Sequence, residues 1–432
     1  MQKDEKIANN INKNKLIKNH KQIDSKKNIR LYPIYTMFAY DLLFFYGVRM
    51  LFLTDVKGIT DYQVVFLLSE FAIFTVIMQW PSTLLISKIG NRNGAILGNI
   101  LNVIWGVLFI FIRDYKTLLL VTIITATANS LKNVSDTNIL NDSIPESPKK
   151  SDIFTSIDKR SYYEYCILSA ISTIFAGYLY EINPYIPMFF CLVCSIIATI
   201  ISFNFDDVKE EKTISIYQYI SELKHGFKYT IKSKRMQALL LSTGVAWGII
   251  VLLGIYQLSL LQSIGVKSAE IGIIFAVLEL IKGLYSKKAI QFNNTFKNRS
   301  LTNILLTFGI GFILSGVVAI LNINLGLKLS IIIVIFFIIG AINGIFLILA
   351  KRYLNSFASD KILISIYAER SISDNLARTI ITAIGSYILT ICNIYVAMII
   401  VGFIILIGTF LLSIYMKNKL GVYNQKNNKI NE

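Results

Sequence analysis

Apolar runs of about 17–25 residues recur along almost the whole chain, which has 432 residues. As an α-helix, a run of this length crosses the hydrocarbon core of a bilayer. One soluble core could not bury so much apolar surface, since 54% of the residues are hydrophobic and the mean hydropathy is +0.58. The sequence therefore predicts an all-α polytopic membrane protein.

The runs predict twelve membrane-spanning helices, six before and six after a polar central stretch. Their expected ranges are 31–53, 63–86, 95–112, 117–140, 162–181, 185–204, 237–262, 270–286, 301–321, 329–350, 371–391 and 394–416. The predicted organisation is a basic tail at 1–30, a six-helix bundle at 31–204, a central loop at 205–236, a second bundle at 237–416 and a tail at 417–432. The first tail has no apolar core, so we expect it to be disordered and not a signal peptide.

Basic residues are concentrated in alternate segments between the predicted helices. The two tails and the loops at 87–94, 141–160, 205–236, 287–300 and 351–370 hold 34 Lys and Arg residues, whereas the opposite loops hold 5. This asymmetry predicts that both termini are cytoplasmic, because basic loops remain on that side. We expect the net charge of +17 to face anionic lipid there and not nucleic acid.

Short sequence matches recur between the two predicted halves at nearly one offset. Glu70 in predicted helix 2 corresponds to Glu279 in predicted helix 8, 209 residues later. Further pairs at offsets of 207 to 210 are Val56-Lys57 with Val266-Lys267, Asn91-Arg92 with Asn298-Arg299, and Arg160-Ser161 with Arg370-Ser371. Parallel six-helix repeats of this kind are typical of secondary transporters.

The junction between predicted helices 2 and 3 reads PSTLLISKIGNRNGAILG, from Pro81 to Gly98. With the 6+6 layout and the long central loop, it resembles the major facilitator superfamily over residues 31–416. The family signature here is Gly-x-x-x-Asp-Arg-x-Gly-Arg-Arg. The chain keeps Lys88, Gly90 and Arg92, and it departs from the signature at Thr83, Ser87 and Asn91. A Gly-rich signature found on helix 5 of many drug–proton antiporters is absent, since residues 168–180 contain one glycine, Gly177.

The resemblance implies that helices 1, 4, 7 and 10 line a central cavity and that helices 2, 5, 8 and 11 meet between the halves. Predicted helix 4 carries polar residues three or four apart, which places them on one face. They are Thr122, Thr125, Asn129, Lys132 and Asp136. Such a stripe either lines the cavity or forms a buried network between helices. In the first case Lys132 is the candidate to bind a substrate anion or a coupling partner.

Two charged residues lie within the first predicted helix, in the stretch AYDLLFFYGVRM at 39–50. Arg49 is near the outer end and is expected to extend to the lipid headgroups. Asp41 is near mid-span, where a short side chain cannot do so. It must face the cavity, pair with a cation such as Lys132, or carry a proton. The residue that corresponds to Asp41 in the second half is Val251, so the acid is not repeated. This asymmetry between the halves favours a functional role for Asp41.

Other charged residues are candidates for coupling or for a cytoplasmic gate. Glu70 has no partner nearby in sequence, whereas Glu279 can pair with Lys282 on the same helix. By resemblance, the heads of helices 5 and 11 form a charge cluster that holds the halves together on the cytoplasmic side. That cluster would comprise Arg160, Glu164, Arg370 and Asp374, with Lys88, Gly90 and Arg92 nearby. Ordinary helix-end charge is the alternative.

Several uncharged residues complete the candidates. Possible substrate contacts on helices 1 and 7 are Tyr40, Trp247, Tyr256 and Gln257, with packing as the alternative. Gly340 and Gly344 form a GxxxG pattern that predicts close helix packing. The four cysteines lie in predicted helices without a metal-ligand pattern, so we expect packing thiols and no metal site.

The chain carries no sign of an enzyme. No Gly-Lys dipeptide occurs, hence there is no P-loop, and both histidines lie away from paired acids. The expected function is secondary transport by alternating access, with proton-coupled export of a small amphipathic compound. We expect no cofactor, a proton or ion gradient as driving force, and a functional monomer in the plasma membrane, with an Ile, Asn and Lys bias that indicates an AT-rich bacterial genome. Uptake of a nutrient or metabolite, and a non-transporting sensor derived from the fold, are alternatives.

Overall fold

A computed structural model describes residues 26–46, 48–59, 61–145, 147–207, 228, 230–266, 268–357 and 363–420. Most of the first tail, most of the central loop and the last twelve residues of the second tail lie outside these ranges. The predictions that the tail at 1–30 is disordered and that residues 205–236 form one polar loop therefore concern segments that are largely outside the described residues.

Twelve long helical segments follow one another along the described part of the chain, and we number them α1 to α12. They are α1 (26–39), α2 (61–89), α3 (91–110), α4 (Tyr115–Ser143), α5 (Lys150–Ile182), α6 (Tyr185–Phe203), α7 (Lys234–Ser263), α8 (Ser268–Ser286), α9 (Ser300–Ile320), α10 (Leu325–Phe357), α11 (Leu363–Ile391) and α12 (Ile394–Leu420). A short helix, Arg49–Leu51, and one π-helical turn, Phe52–Val56, lie between α1 and α2, and the short helix Ala289–Phe296 lies between α8 and α9.

The prediction of an all-helical membrane protein is confirmed. Eight helices among the described residues are long and apolar enough to cross a membrane, and one of them, Leu67–Ile110, contains both α2 and α3. The eight leave out α1, which is short, and α8 and α11, which carry several charged residues. Twelve crossings are consistent with this arrangement.

The first predicted helix is not continuous. The sequence predicts one helix over 31–53, but α1 ends at residue 39 and residues 40–46 form bends and turns. Phe44 has φ of 63°, a conformation that bulky residues rarely adopt. Non-helical backbone at membrane depth is tolerated where it is buried in protein or lines a water-filled cavity. The break therefore marks this segment as an interior element.

A glycine separates α2 from α3. Gly90 has φ of 83° and ψ of 163°, which no helical residue adopts, and it turns the chain between the two helices. Asn91 donates to Asp142 Oδ2 on α4 at 2.8 Å, and Arg92 donates to the Phe203 carbonyl at the end of α6 at 2.8 Å. These contacts hold the start of α3 against α4 and α6.

Three helices extend well beyond their apolar runs at one end of the bundle. α5 begins twelve residues before its predicted start, α11 begins eight residues early, and α10 continues seven residues past its predicted end. This end also carries the Lys- and Arg-rich loops at 87–94, 141–160, 287–300 and 351–370, and we call it the basic end. Polar residues lengthen these helices because they lie outside the apolar spans.

Small residues bring helices close together within each half. A Cβ at Gly98 would lie 2.7 Å from Lys132 Cγ, so α3 and α4 approach closely there. On α10, a Cβ at Gly344 would lie 2.0 Å from the Lys282 carbonyl oxygen, and one at Gly340 would lie 3.0 Å from Leu278. The predicted close packing of the GxxxG pattern is therefore present, and its partner is α8.

Two helix pairs carry most of the contact between the halves. α5 packs along α8, where a Cβ at Gly283 would lie 2.6 Å from Cys166 Cβ. α11 packs against α2, and Ala368 lies in one apolar cluster with Ile86. Helices 2, 5, 8 and 11 thus meet where the resemblance placed them.

Candidate functional site

Asp41 lies in the break that follows α1. Asp41 Oδ1 accepts the backbone N–H of Leu42 at 2.9 Å, and its carboxylate also bonds the Tyr46 hydroxyl. The carboxylate lies within electrostatic range of Lys132 on α4 and Glu279 on α8. Charged residues of both halves therefore act on the Asp41 carboxylate.

Lys132 contacts the C-terminal end of α1. Its ammonium group donates to the carbonyl of Ala39, the last residue of α1, and the side chain is 9% exposed. Carbonyl groups at a helix C-terminus have no intrahelical partner and carry partial negative charge, so a cation stabilises them. Lys132 also lies within electrostatic range of Asp41 and Asp136.

Asp136 belongs to a buried network between α1, α3 and α4. The Tyr35 hydroxyl donates to Asp136 Oδ1 at 2.8 Å, and Asn99 Nδ2 donates to the Tyr35 oxygen at 2.9 Å. At this end of the row of polar residues on α4, the side chains therefore form a buried network between helices, which was the alternative to lining the cavity. Asn129, on the same stripe, is half-buried and makes no hydrogen bond with the described part of the chain.

Both glutamates predicted inside helices have partners. Glu279 Oε1 accepts from Lys282 Nζ at 2.5 Å, and both side chains are about four-fifths buried. This is the self-neutralising arrangement that their spacing permits. Glu70 accepts a hydrogen bond from the Tyr115 hydroxyl at the start of α4, away from the basic end.

Two arginines next to Asp41 form a feature that the sequence did not reveal. Arg49 Cζ lies 5.4 Å from the centre of the Tyr46 ring and 5.9 Å from that of Phe45. Arg378 on α11 lies within electrostatic range of Tyr46, Arg49 and Asp41, with its Cζ 5.6 Å from the Phe71 ring centre. Arg49 thus points into the protein, contrary to the expectation that it reaches the headgroups.

The ion pairs that join the halves also differ from the predicted gate. Lys351 Nζ on α10 lies 2.8 Å from Asp158 Oδ1 on α5, where the Asp158 side chain is 3% exposed. Arg352 Nη2 lies 2.9 Å from Asp152 Oδ1 at the first turn of α5. We call these two pairs the α5–α10 latch. Both are at the basic end and both cross from one half to the other.

The predicted gate residues form pairs within single helices. Arg160 Nε lies 2.7 Å from Glu164 Oε1 on α5, and Arg370 Nε lies 3.2 Å from Asp374 Oδ2 on α11. Cross-half contact near Arg370 comes from its neighbour Ser371, which accepts a hydrogen bond from Asn133 on α4 at 3.3 Å. Lys88 is exposed at the basic end, and Gly90 and Arg92 serve the helix junction described above.

The candidate substrate contacts divide into two groups. Tyr40 lies at the break, with its ring centre 4.4 Å from that of Tyr165 and 5.8 Å from Lys351 Nζ. Tyr256 is fully buried and donates to the Gly385 carbonyl at 2.8 Å, which is a packing role between α7 and α11. Gln257 is buried and Trp247 is half-buried.

An apolar cavity of about 440 Å³ lies between α7, α11 and α12, and no charged residue lines it. It is lined by aliphatic side chains such as Ile249 and Val401, and rim residues such as Leu411 are exposed. In a bilayer it faces lipid, so it is not the site for a polar solute. The described residues contain no cluster of three or more His, Cys, Asp or Glu able to hold a metal, and all four cysteines are free.

Comparisons with solved structures identify the fold. No family model matches the sequence, and no curated protein matches it. The crystal structure of the human organic anion transporter MFSD10 (TETRAN) matches 90% of this chain and 99% of that one, with a TM-score of 0.67 and 11% identity. A single-residue mutant of the nucleoside transporter NupG matches 94% of this chain and 100% of that one, with a TM-score of 0.62 and 10% identity.

Both of these proteins are major facilitator superfamily transporters. The chain therefore has the major facilitator fold, and the resemblance based on the helix 2–3 junction is confirmed at the level of the fold.

Proposed function

We propose that this protein is a secondary transporter that moves a small molecule across a membrane by alternating access. The observation that carries the proposal is the broken first helix, whose unwound residues place Asp41 among charged residues of both halves. Discontinuous helices near the bilayer midplane are a recurrent way to build transport sites, because they bring unpaired backbone groups to a solute. The fold shared with two transporters supports the same function.

The contacts between the halves support a state that is closed at the basic end. The cross-half polar contacts of the described residues are concentrated there, in the α5–α10 latch and the Asn133–Ser371 bond. Positive charge concentrates on the cytoplasmic side, so this state would open away from the cytoplasm. Transport then requires the latch to break while the opposite end closes.

Proton coupling and direction are further parts of the proposal. Asp41 is half-buried at mid-span and is bonded to Tyr46, so a proton on its carboxylate would change the balance of charge with Lys132 and the two arginines. We propose export of a small amphipathic compound from a bacterial cell, with the aromatic rings near the break in contact with the apolar part of the substrate. The basic end would contact anionic lipid, and the monomer would be the working unit.

Flux measurements in proteoliposomes test this proposal. An imposed pH gradient should accelerate efflux of the transported compound by the unmutated protein. Asp41→Asn should abolish that acceleration, while the variant protein remains monodisperse. Asp41→Glu should retain part of it. Gradient-driven accumulation by Asp41→Asn would place coupling elsewhere, with Glu70 as the next candidate, and flux in the opposite direction only would contradict export.

A further inference from the structure

Several charged residues lie within electrostatic range of one another around Asp41. They are the cations Arg49, Arg378, Lys132 and Lys282 and the carboxylates Asp41, Asp136 and Glu279. An unpaired charge inside a membrane protein costs several kcal/mol, so a cation of this group without an ion pair is a candidate to bind an anion.

The two arginines are the cations of this group without an ion pair. Lys282 is paired with Glu279 at 2.5 Å, and Lys132 donates to the Ala39 carbonyl. Neither Arg49 nor Arg378 forms an ion pair with a carboxylate among the described residues, and Arg49 Nε is buried without a hydrogen-bond partner. Asp41 lies within electrostatic range of both arginines.

We propose that Arg49 and Arg378 form a binding site for the anionic group of an organic substrate. This proposal rests on the proposed transport function and specifies its substrate class as an organic anion with an aromatic or apolar body. Arginine suits the role because its planar guanidinium binds carboxylate or phosphate through two parallel hydrogen bonds. The two arginines come from different halves, so one anion bound to both would interact with both halves of the transporter.

Aromatic rings define the rest of the site. Phe45 and Tyr46, in the break after α1, contact Arg49, and Phe71 on α2 contacts Arg378. Tyr46 is 50% exposed, so one face of the site is open. Guanidinium groups that lie over aromatic rings are held in place and partly desolvated, which strengthens their attraction for an anion. The rings also provide apolar surface for the body of the substrate.

A pair of probes that differ only in charge tests the site. Naphthalene-2-carboxylate should bind the purified protein, and the neutral naphthalene-2-carboxamide should bind at least about tenfold more weakly, the factor that corresponds to 1.4 kcal/mol. Binding is measured by equilibrium dialysis with radiolabelled probes. Equal affinity for the two probes, or no binding of the carboxylate, would overturn the proposal.

Single substitutions assign the binding to the two arginines. Arg49→Gln and Arg378→Gln should each weaken carboxylate binding about tenfold or more and leave carboxamide binding unchanged, whereas Arg378→Lys should retain part of the preference for the anion. Arg113→Gln is the matched control, because it removes the same charge from an exposed turn outside the site. Undiminished preference for the carboxylate in both glutamine variants would exclude this site, and a monodisperse elution profile shows that each variant is folded.

The same experiments separate this inference from the transport function. Carboxylate binding that depends on Arg49 and Arg378, without flux in proteoliposomes, would support the anion site and contradict transport. Flux of a neutral or cationic compound, without carboxylate binding, would support transport and contradict the anion site.

Discussion

Breaking the α5–α10 latch should open the basic end of the protein. The Asp158 side chain is 3% exposed and is held 2.8 Å from Lys351 Nζ, whose side chain is 20% exposed. Removing one partner of a buried ion pair leaves the other charge unmatched, at a cost of about 3–5 kcal/mol. Opening the basic end hydrates Asp158 and relieves this cost. Since Lys351 is partly exposed, we take the lower value of about 3 kcal/mol for Lys351→Gln.

A free energy of about 3 kcal/mol changes the equilibrium between closed and open states about 150-fold. An open state populated to about 1% would then become the majority. The double variant Asp158→Asn with Lys351→Gln removes the unmatched charge, so its shift should be smaller, at about 1 kcal/mol. The assay is pulsed electron–electron distance measurement between spin labels at Ser147 and Thr295, which are both exposed at the basic end, in a background without native cysteines.

Arg160→Gln is the matched control for the latch. It removes a cation from the same end of α5, but its partner Glu164 is on the same helix and the Arg160 side chain is 71% exposed. Exposed pairs of this kind contribute below about 1 kcal/mol, so the distance distribution should not change. A label distance that is no longer in Lys351→Gln than in Arg160→Gln would refute the role of the α5–α10 latch.

Two further predictions concern packing and orientation. Gly344→Ala should clearly lower the melting temperature of the protein, because the added Cβ would lie 2.0 Å from the Lys282 carbonyl oxygen. Gly254→Ala is the control and should not lower it, because no atom lies within 4 Å of the Cβ that would be added there. Equal melting temperatures of the two variants, measured by tryptophan fluorescence, would contradict the tight α8–α10 contact. A cysteine at Asn183 should react with an impermeant thiol reagent on intact cells and one at Lys149 should not; the reverse pattern would invert the orientation.

The number and order of the helices could be predicted from the sequence, because each long apolar run corresponds directly to a helix that lies in lipid. The ends of α6 and α9 fall within one residue of expectation, since charged or polar residues follow the runs. The break at residues 40–46 could not be predicted, because AYDLLFFYGVRM has the same apolar content as a continuous helix. The one indication of the break in the sequence was Asp41, because a charged residue is unusual in a continuous apolar helix.

The site was only partly predictable, because charge pairing depends on distances across the fold. Asp41 and Lys132 were found from their improbable location in apolar helices. Arg378 and the Asp158–Lys351 pair were missed, since their partners are on other helices and the latch pair is 193 residues apart in sequence. The close packing of α10 was predicted, because Gly340 and Gly344 form the small-residue spacing found at helix contacts.

Alternating access to the central site can be measured with one cysteine. Tyr46→Cys, in a background without native cysteines, places a thiol beside Asp41 and Arg49, and an impermeant thiol reagent is applied to right-side-out or inside-out vesicles. The thiol should react mainly from the side opposite the basic end, and Lys351→Gln should transfer most of the reaction to the basic side. Ser147→Cys, which reacts from the basic side alone, controls for vesicle orientation. Reaction of Tyr46→Cys from one and the same side, with or without Lys351, would contradict alternating access.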